Sequence, residues 1–508
     1  MDHAFILLIF FIKVVTNMES TNNTPKFIKV FRSHIEVYPY QEGECLQIEK
    51  MYSKWDDVTH QYIRIAYFVS DNILYLPRGT SLALLSSLFD TSPLFVNRSD
   101  PAQSMSKEVE MRYEPRDRIQ TESIDFLTHS GNFTKGLQHS QFGLNLDTGA
   151  GKTFCMISGI VKLGMKAIII THKSRLKEQW IKEFIDKSDI SEDSIIDIDG
   201  SSDMEAIMRG DKSADVYVVN HQTLTSFARL RSWEELHVFF KKTGVGIKVI
   251  DECHKYFQNS LMIDFFSDVK LSYYLTATFT RSDPKEIRIF QKAYSSLYRF
   301  GEETLDYEEV RKHIVLCVVL YRSKPDFSVV KKIVDGHYGF NSYRYIDYTL
   351  KQDTNHTMMK VIKKIIDKME VLDGKILITS PKIESVETIA KELKYETDKK
   401  VGVVCSKYSN EENRETIQRS DIISSTIKGI GEGDDIKGLR VLINTEPVGS
   451  KALVDQLRGR LREYSKDDDT YMFYLIDTSI GYTYEMFKRV KSIFDKKCKE
   501  IVMMQMEV

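Results

Sequence analysis

Runs of apolar residues alternate with helical segments along most of the chain. In a first set, "AIIIT", "VYVVN", "IKVI" and "YYLTAT" begin at positions 167, 216, 247 and 273. In a second set, "KILIT", "VGVVC", "DIISST", "VLINTE" and "YMFYLI" begin at positions 375, 401, 421, 441 and 471. Continuous apolar strands separated by helices are typical of a parallel sheet that is covered on both faces. The pattern therefore predicts an α/β protein with two parallel-sheet domains in tandem.

The N-terminal part has a different pattern, with short β-like runs such as "HIEVYPY" and "NILYLP" before the helical "SLALLSSLF". These runs predict a small α+β module, which the polar, turn-rich "NRSDPAQSMSKEVE" links to the rest near Asp100. Basic and aromatic residues interleave in "KFIKVFRSH" and "YIRIAYF". They predict a module that recognises DNA structure, and the alternative is a folding brace for the first domain.

The predicted organisation has six parts. The first 17 residues contain an apolar run without a basic leader, and we interpret them as a non-native or disordered extension before Met18. The other parts are the module (18–100), the first domain (111–300), a connecting segment (301–345), the second domain (346–490) and a C-terminal tail (491–508).

Composition limits the classes of function. The 508 residues carry a net charge of -2, so nucleic acid would have to be bound by local patches or backbone contacts. Six scattered cysteines form no CxxC pair, which argues against a disulfide framework and a zinc site. The N-terminal apolar run is too short to span a membrane. We therefore expect a cytoplasmic protein with no membrane partner.

The stretch "LNLDTGAGKTFCMI" has the chemistry of a phosphate-binding loop. Small residues at positions 148–151 allow successive backbone N–H groups to point at a polyanion, Lys152 can reach the outer phosphates, and Thr153 can place a hydroxyl on Mg²⁺. Leu146 stands where the strict pattern has glycine. The alternative is a glycine turn between a strand and a helix.

A second stretch, "GVGIKVIDECHKYF", ends an apolar strand with two carboxylates. Asp251 would hold Mg²⁺, and Glu252 would polarise the water that attacks the γ-phosphate. The alternative is a solvated acidic pair that caps the next helix. Further along, "QLRGRLREY" places Gln456, Arg458, Arg460 and Arg462 close together. Guanidinium groups can neutralise the departing γ-phosphate, although such a run is also typical of a solvent-facing basic helix.

In this order, "DTGAGKT", "DECH", "LTATFTR" and "QLRGRLR" resemble motifs I, II, III and VI of superfamily 2 helicases, across residues 111–477. Between them, "IIITHKSRLKEQW" resembles motif Ia, "VVNHQTL" motif Ib and "SSTIKGIGEGDDIKGLRVLI" motif V. Within the superfamily the arrangement is most similar to the phage UvsW and XPB-like branch. The resemblance implies two RecA-like domains that bind ATP and Mg²⁺.

The resemblance also implies roles for individual residues. The catalytic set is Glu252, Asp251, Lys152, Arg460, Arg462 and Gln456. The ATP-binding set is Gln120, Thr148, Gly149, Ala150, Gly151, Lys152, Thr153, Gly433 and Asp435, with Thr153 and Asp251 on the metal. His254, Thr276 and Thr278 would couple hydrolysis to movement. Nucleic-acid phosphates would meet Lys173, Ser174, Gln222, Thr223, Ser380 and Thr426.

Two positions depart from the family pattern. Gln120 stands where the family places an adenine-reading glutamine, but Ile119 replaces the usual aromatic neighbour. The second family arginine lies seven residues after the glutamine, where this chain has Glu463, so either Arg460 or Arg462 is the finger.

The resemblance implies an ATP-dependent DNA helicase or translocase that acts on branched or duplex DNA in repair, recombination or replication. One alternative is a transcription-linked or RNA helicase, and another is a nucleic-acid-dependent ATPase that remodels without unwinding. The partner is nucleic acid, with DNA favoured over RNA and backbone contacts dominant. The sequence names no loading protein.

Overall fold

The computed structural model describes residues 25–89, 95–96, 102–129, 140–146, 149–276, 284–301, 312–335, 339–427, 429, 436–465 and 468–508. The chain divides into two compact units. The first lies within Met1–Leu146 and Gly151–Glu303, and the second within Asp147–Ala150 and Thr304–Val508.

The N-terminal module of the first unit has a five-stranded mixed sheet and a separate two-stranded hairpin. Ile28 and Val30 alternate with exposed neighbours along the first strand, as expected for a sheet with one buried face. The strands are β1 (Phe27–Val30), β2 (His34–Tyr38), β3 (Ser53–Asp56), β4 (Gln61–Arg64), β5 (Phe68–Ser70), β6 (Ile73–Pro77) and β7 (Phe95–Val96), in the sheet order β5-β6-β2-β1-β7, and β3 and β4 form the hairpin. The helices are α1 (Leu46–Met51) and α2 (Leu82–Leu88).

The rest of the first unit is an α/β layer around a seven-stranded parallel sheet. The strands are β8 (Gln141–Asn145), β9 (Ala167–Thr171), β10 (Ile195–Ile198), β11 (Val216–Asn220), β12 (Ile247–Asp251), β13 (Leu271–Thr276) and β14 (Tyr298–Gly301), in the order β10-β11-β9-β12-β13-β8-β14. The helices are α3 (Arg118–His129), α4 (Lys152–Leu163), α5 (Ser174–Lys187), α6 (Ser201–Arg209), α7 (His221–Leu230), α8 (Trp233–Thr243), α9 (Phe257–Phe265) and α10 (Pro284–Ala293), with a short 3₁₀ turn at Glu192–Ser194.

The second unit repeats this architecture with another seven-stranded parallel sheet and a small hairpin. The strands are β15 (Ile314–Tyr321), β16 (Val334–Asp335), β17 (Gly339–Phe340), β18 (Lys375–Ser380), β19 (Val401–Val404), β20 (Ile422–Thr426), β21 (Leu439–Asn444), β22 (Thr470–Asp477) and β23 (Glu500–Gln505). The order is β19-β20-β18-β21-β22-β15-β23, and β16 pairs with β17. The helices are α11 (Phe327–Ile333), α12 (Ser342–Asp347), α13 (Thr357–Met369), α14 (Ile383–Glu396), α15 (Asn410–Arg419), α16 (Lys451–Arg458) and α17 (Gly481–Lys497), with a π turn at Tyr348–Gln352.

This architecture confirms the predicted fold class of two tandem parallel-sheet domains with a small α+β module. The second sheet also takes β15 and β23 from outside residues 346–490. Among the described residues, no helix is both long enough and apolar enough to cross a membrane.

The N-terminal module and the first parallel sheet share one hydrophobic core. Tyr75 of β6 lies 5.1 Å from Phe266 and 6.2 Å from Phe265, centroid to centroid. Polar contacts join the same surfaces, because the Ser33 hydroxyl donates to the Ser267 carbonyl at 2.7 Å and the Ser140 hydroxyl to the Arg32 carbonyl at 2.6 Å. The module is therefore packed against the first sheet.

The order of strands brings three motif segments to one edge of the first sheet. Strand β13 lies between β8 and β12, and the register pairs Thr276 with Asn145 and Asp251 with Leu275. All three strands are parallel, so their carboxyl ends share that edge. The glycine-rich turn after β8 and the carboxylates after β12 therefore lie on the same side of the sheet.

Candidate nucleotide site and nucleic-acid interface

The glycine-rich turn after β8 leads directly into α4. Gly149 and Gly151 have φ of 89° and 90°, a left-handed conformation that favours glycine. Lys152 is the first residue of α4, and its ammonium donates to the Leu146 carbonyl at 2.7 Å, so the side chain folds across the turn. Thr153 follows in the first turn of the helix, half-buried. The helix N-terminus and Lys152 therefore lie at the turn where phosphates would be cradled.

Gln120 lies against this turn. Its side chain is buried, and its Oε1 accepts from the Arg116 backbone N–H at 2.8 Å. The backbone N–H of Gln120 donates to Asp117 Oδ1 at 2.9 Å. A Cβ added at Gly151 would lie 2.3 Å from Gln120 Nε2. The amide of Gln120 therefore occupies the space beside the glycine that any larger residue would need.

Asp251 ends β12 in a half-buried position. The Trp180 indole N–H, from α5, donates to Asp251 Oδ2 at 3.0 Å. Burial raises the pKa of the Asp251 carboxyl, and the neighbouring Glu252 raises it further, while Trp180 and the Lys152 charge oppose the rise. A half-buried carboxylate with this balance gains from a nearby cation.

Glu252 has φ of 51°, which is uncommon for a residue with a side chain. Its Oε2 lies 3.3 Å from His254 Nδ1, and the same nitrogen lies 2.8 Å from Thr276 Oγ1. Strained backbone of this kind concentrates at functional sites. The structure thus brings the predicted base and two predicted coupling residues into one contiguous chain of polar contacts.

Thr153 and Asp251 are suited to hold Mg²⁺. Among the described residues, no group of three or more His, Cys, Asp or Glu side chains could enclose a metal ion. Mg²⁺ bound with nucleotide needs only one or two protein oxygens, since phosphates and water complete its shell. A hydroxyl on the first turn of α4 and a half-buried carboxylate match that requirement.

The segments that resemble motifs Ia and Ib meet at the ends of β9 and β11. Asn220 connects them, because its Oδ1 accepts from Thr171 Oγ1 at 2.9 Å and its Nδ2 donates to Ser174 Oγ at 3.1 Å. Lys173 and Ser174, at the N-terminus of α5, are exposed, as is Gln222 at the N-terminus of α7, with Thr223 half-exposed. The four predicted contacts therefore cluster at two adjacent helix N-termini.

His221 lies beneath this surface. Its ring is 4.1 Å from the Tyr256 ring, and its Nδ1 is 3.1 Å from Asn259 Nδ2. Burial, together with His172, lowers the pKa of His221 to about 4. The imidazole is therefore neutral near pH 7, and Lys173 and backbone N–H groups are left to attract phosphate here.

In the second unit, the two predicted phosphate contacts end adjacent strands. Ser380 ends β18 and is fully buried, with its Oγ 2.6 Å from Ser385 Oγ. Thr426 ends β20 and is half-buried, and a Cβ at Gly429 would lie 2.6 Å from its Oγ1. Both residues thus lie at the carboxyl edge of the sheet. Because the Ser380 hydroxyl is buried, the backbone there is better placed than this hydroxyl to contact a phosphate.

The arginines of "QLRGRLREY" have different environments. Gln456 and Arg458 lie in α16, which ends at Arg458. Arg458 is buried, with its Nη2 3.5 Å from Asp455 Oδ1. Arg460 is half-exposed and Arg462 exposed, both after the helix end. This arrangement leaves Arg460 and Arg462 as the candidates for a finger.

Four predicted residues, Thr148, Thr278, Gly433 and Asp435, lie outside the described residues. Several positioning residues escaped sequence reasoning. Trp180 holds Asp251, and Thr171 and Asn220 join motifs Ia and Ib. The second sheet has a matching pair, because Thr379 Oγ1 donates to Asn444 Oδ1 at 2.9 Å. For Asn220 and Asn444, the sequence signal was an Asn at the end of an apolar run, in "VYVVN" and "VLIN".

Comparisons with known proteins agree with this geometry. Residues 109–281 match the family model of "Type III restriction enzyme, res subunit". No curated protein matches the chain. A fragment assigned to the HsdR subunit of a type I restriction enzyme from Vibrio vulnificus YJ016 is 13% identical, with 78% of this chain and 70% of that chain covered and a TM-score of 0.52.

Two further solved structures are similar at lower TM-scores. S. cerevisiae Dbp5, solved bound to RNA and ADP BeF3, is 15% identical, with 76% of this chain and 89% of that chain covered and a TM-score of 0.49. T4 UvsW is 16% identical, with 95% and 100% covered and a TM-score of 0.36. At such identities the likeness concerns the fold alone.

Proposed function

We propose, on the premise that the chain contains a superfamily 2 helicase core, that the protein is an ATP-driven helicase or translocase acting on branched or duplex DNA. The observation that carries the proposal is the shared edge of the first sheet. There the Gly151–Thr153 turn follows β8 and Asp251 ends β12, the two parallel strands on either side of β13, and Glu252, His254 and Thr276 form a continuous polar chain.

The residues of this edge divide the work of phosphoryl transfer. Lys152 and the N-terminus of α4 would stabilise phosphate charge, and Gln120 would contact the base from its place beside Gly151. Mg²⁺ would neutralise charge on the β- and γ-phosphates when it is bound. Glu252 would orient and deprotonate the attacking water. His254 would relay the state of Glu252 to Thr276, at the end of β13.

Adjacent helix N-termini at Ser174 and His221 support the nucleic-acid part of the proposal. Backbone N–H groups and small hydroxyls bind phosphate without reading bases, so we expect little sequence specificity. Such local binding also agrees with a net charge of -2, since a backbone-tracking groove needs no basic surface over the whole protein.

The test is ATPase activity without nucleic acid and with single-stranded DNA, duplex DNA, forked DNA or RNA, at one salt concentration. We expect the largest stimulation with DNA. Lys152→Ala should abolish turnover and leave the fold intact, because it removes charge from the phosphate site and the residue is half-exposed. Stimulation by RNA alone would contradict the DNA assignment, and normal turnover in Lys152→Ala would contradict the nucleotide site.

A further inference from the structure

An exposed tyrosine lies near Ser380, one of the predicted phosphate contacts of the second unit. Tyr343 on α12 is 56% exposed. The ammonium of Lys382 lies 5.4 Å from the centre of the Tyr343 ring. Lys382 comes two residues after Ser380, at the end of β18. The ring is therefore adjacent to the edge where a nucleic-acid backbone is expected.

Several contacts fix the helix that carries this ring. The Asn341 side chain caps α12 by accepting from the Arg344 backbone N–H at 3.0 Å. Tyr345 and Ile346 are fully buried, and Tyr345 Oη lies 2.5 Å from Tyr321 Oη on β15. These contacts hold the helix in place, so the exposed ring is presented on a rigid support.

Two more contacts tie the same helix to the carboxyl edge of the second sheet. Asp347, at the end of α12, forms an ion pair with Lys382, and this partner lowers the pKa of the Asp347 carboxyl. Ser342, at the start of the helix, hydrogen-bonds to the buried Glu446, two residues after β21. The ring thus keeps a fixed position relative to the ends of β18 and β21.

The surrounding segment favours an anionic, aromatic ligand. Residues 322–352 contain six Lys or Arg residues and three Asp residues, although the whole chain is slightly acidic. A tyrosine with one face exposed and a cation nearby offers a stacking surface for a base together with attraction for its phosphate. A solitary exposed tyrosine with neutral surroundings would carry no such preference.

We propose that Tyr343, with Lys382, forms a stacking site for one nucleobase of a bound single strand. This inference rests on the proposed nucleic-acid motor and adds a base contact to a site otherwise expected to hold only phosphates. Stacking tolerates any base, because every base has a π face, so the contact would grip the strand without sequence preference.

The experiment compares binding of oligothymidine with binding of an abasic oligonucleotide of equal length, by fluorescence anisotropy at one salt concentration. Tyr343→Ala should raise the Kd for oligothymidine about 5- to 150-fold, the range of base–aromatic stacking. The same variant should bind the abasic strand like the wild type. Tyr343→Phe retains the ring and should stay within about twofold of wild type for both strands.

Tyr395→Ala is the matched control. Tyr395 is 82% exposed near the C-terminal end of α14 in the same unit, and its loss should change neither Kd. If Tyr343→Ala loses equal affinity for the two oligonucleotides, the stacking site is wrong. It is also wrong if the variant binds both like the wild type, and the exposed ring would then be a candidate contact for a protein partner. If no nucleic acid stimulates the wild-type ATPase, the proposed function itself fails. If nucleic acid stimulates the wild-type ATPase but Tyr343→Ala binds oligothymidine normally, only the stacking site is wrong.

Discussion

At the residue scale, the candidate site depends on side chains that support its predicted ligands. Trp180 is nearly fully buried and donates its indole N–H to Asp251 Oδ2 at 3.0 Å. This bond fixes the orientation of the carboxylate and favours its charged form, against the burial that raises its pKa. The metal affinity of the site should therefore depend on Trp180.

We expect Trp180→Phe to raise the free Mg²⁺ needed for half-maximal ATPase by about tenfold or more, since loss of a supporting bond typically weakens metal sites this much. The measurement is ATPase against free Mg²⁺ at saturating ATP. Trp233→Phe is the control, because Trp233 stacks on Phe266 in the same unit, 5.1 Å away. Identical Mg²⁺ dependence in the two variants would remove Trp180 from the metal site.

The arginines after α16 give a second prediction at this scale. Arg458 is committed to Asp455 inside the unit, whereas Arg460 and Arg462 follow the helix end. If Arg460 is the finger, Arg460→Ala should lower turnover roughly a hundredfold or more, because such arginines contribute about three to five decades elsewhere. ATP affinity should change far less, since the guanidinium acts on charge that develops during transfer.

Turnover and nucleotide affinity measured for Arg460→Ala and Arg462→Ala separate the two candidates. If Arg462→Ala has no turnover while Arg460→Ala turns over normally, Arg462 is the finger. Activity and DNA stimulation in both variants would end the finger hypothesis.

At the scale of elements, helix α4 has a left-handed glycine at each end, and the two differ in surroundings. Gly151 has φ of 90°, with Gln120 Nε2 2.3 Å from where a Cβ would be. Gly164 has φ of 61°, and a Cβ there would meet no described heavy atom within 4 Å. Both substitutions by alanine therefore strain the backbone, but only one displaces a side chain.

We expect Gly164→Ala to lower the free energy of unfolding by about 1–2 kcal/mol with ATP affinity unchanged. Gly151→Ala should do the same and also lose most ATP binding, because the turn and Gln120 must shift apart. Urea unfolding and nucleotide titration of both variants provide the measurement. Equal ATP affinity in the two variants would show that Gln120 does not depend on the glycine.

Sequence patterns identified the buried strands because each is a continuous apolar run, as in "AIIIT" of β9. Strand β23 holds the short apolar run "IVMM" in the segment predicted as a tail, and at the edge of its sheet it has only exposed and half-buried residues, so the run was not recognised as a strand. The candidate phosphate loop could be recognised in the sequence because its residues are contiguous. Trp180 and Asp251 are 71 residues apart, and only the packing of α5 on the sheet brings them together.

At the scale of the whole molecule, the N-terminal module shares its core with the first parallel sheet. This packing is what a brace requires, and recognition of DNA by the module stays a prediction. Tyr75 contacts Phe265 and Phe266 in that core, whereas Tyr62 of the β3–β4 hairpin is 49% exposed. Substitution of Tyr75 therefore tests whether the module supports the first domain, and substitution of Tyr62 tests a surface role.

Tyr75→Ala should lower the free energy of unfolding by about 3 kcal/mol, the usual cost of truncating a large buried side chain. Basal ATPase should then be lost at a lower temperature, because the candidate nucleotide site lies on the sheet against which the module packs. Thermal inactivation of basal ATPase is the measurement, with Tyr62→Ala as the control. An inactivation temperature equal to that of wild type in Tyr75→Ala would mean that the module is energetically independent.

The position of β15 between β22 and β23 has a consequence for synthesis of the protein on the ribosome. The first unit's sheet can close once residue 301 has emerged, since β14 is its last strand. In the nascent second unit, the apolar strand Ile314–Tyr321 instead has no partner strand until residues 470–505 have been translated. Strands that wait for distant partners fold slowly and are prone to aggregate. Chaperone demand during translation should therefore fall mainly on the second half of the chain.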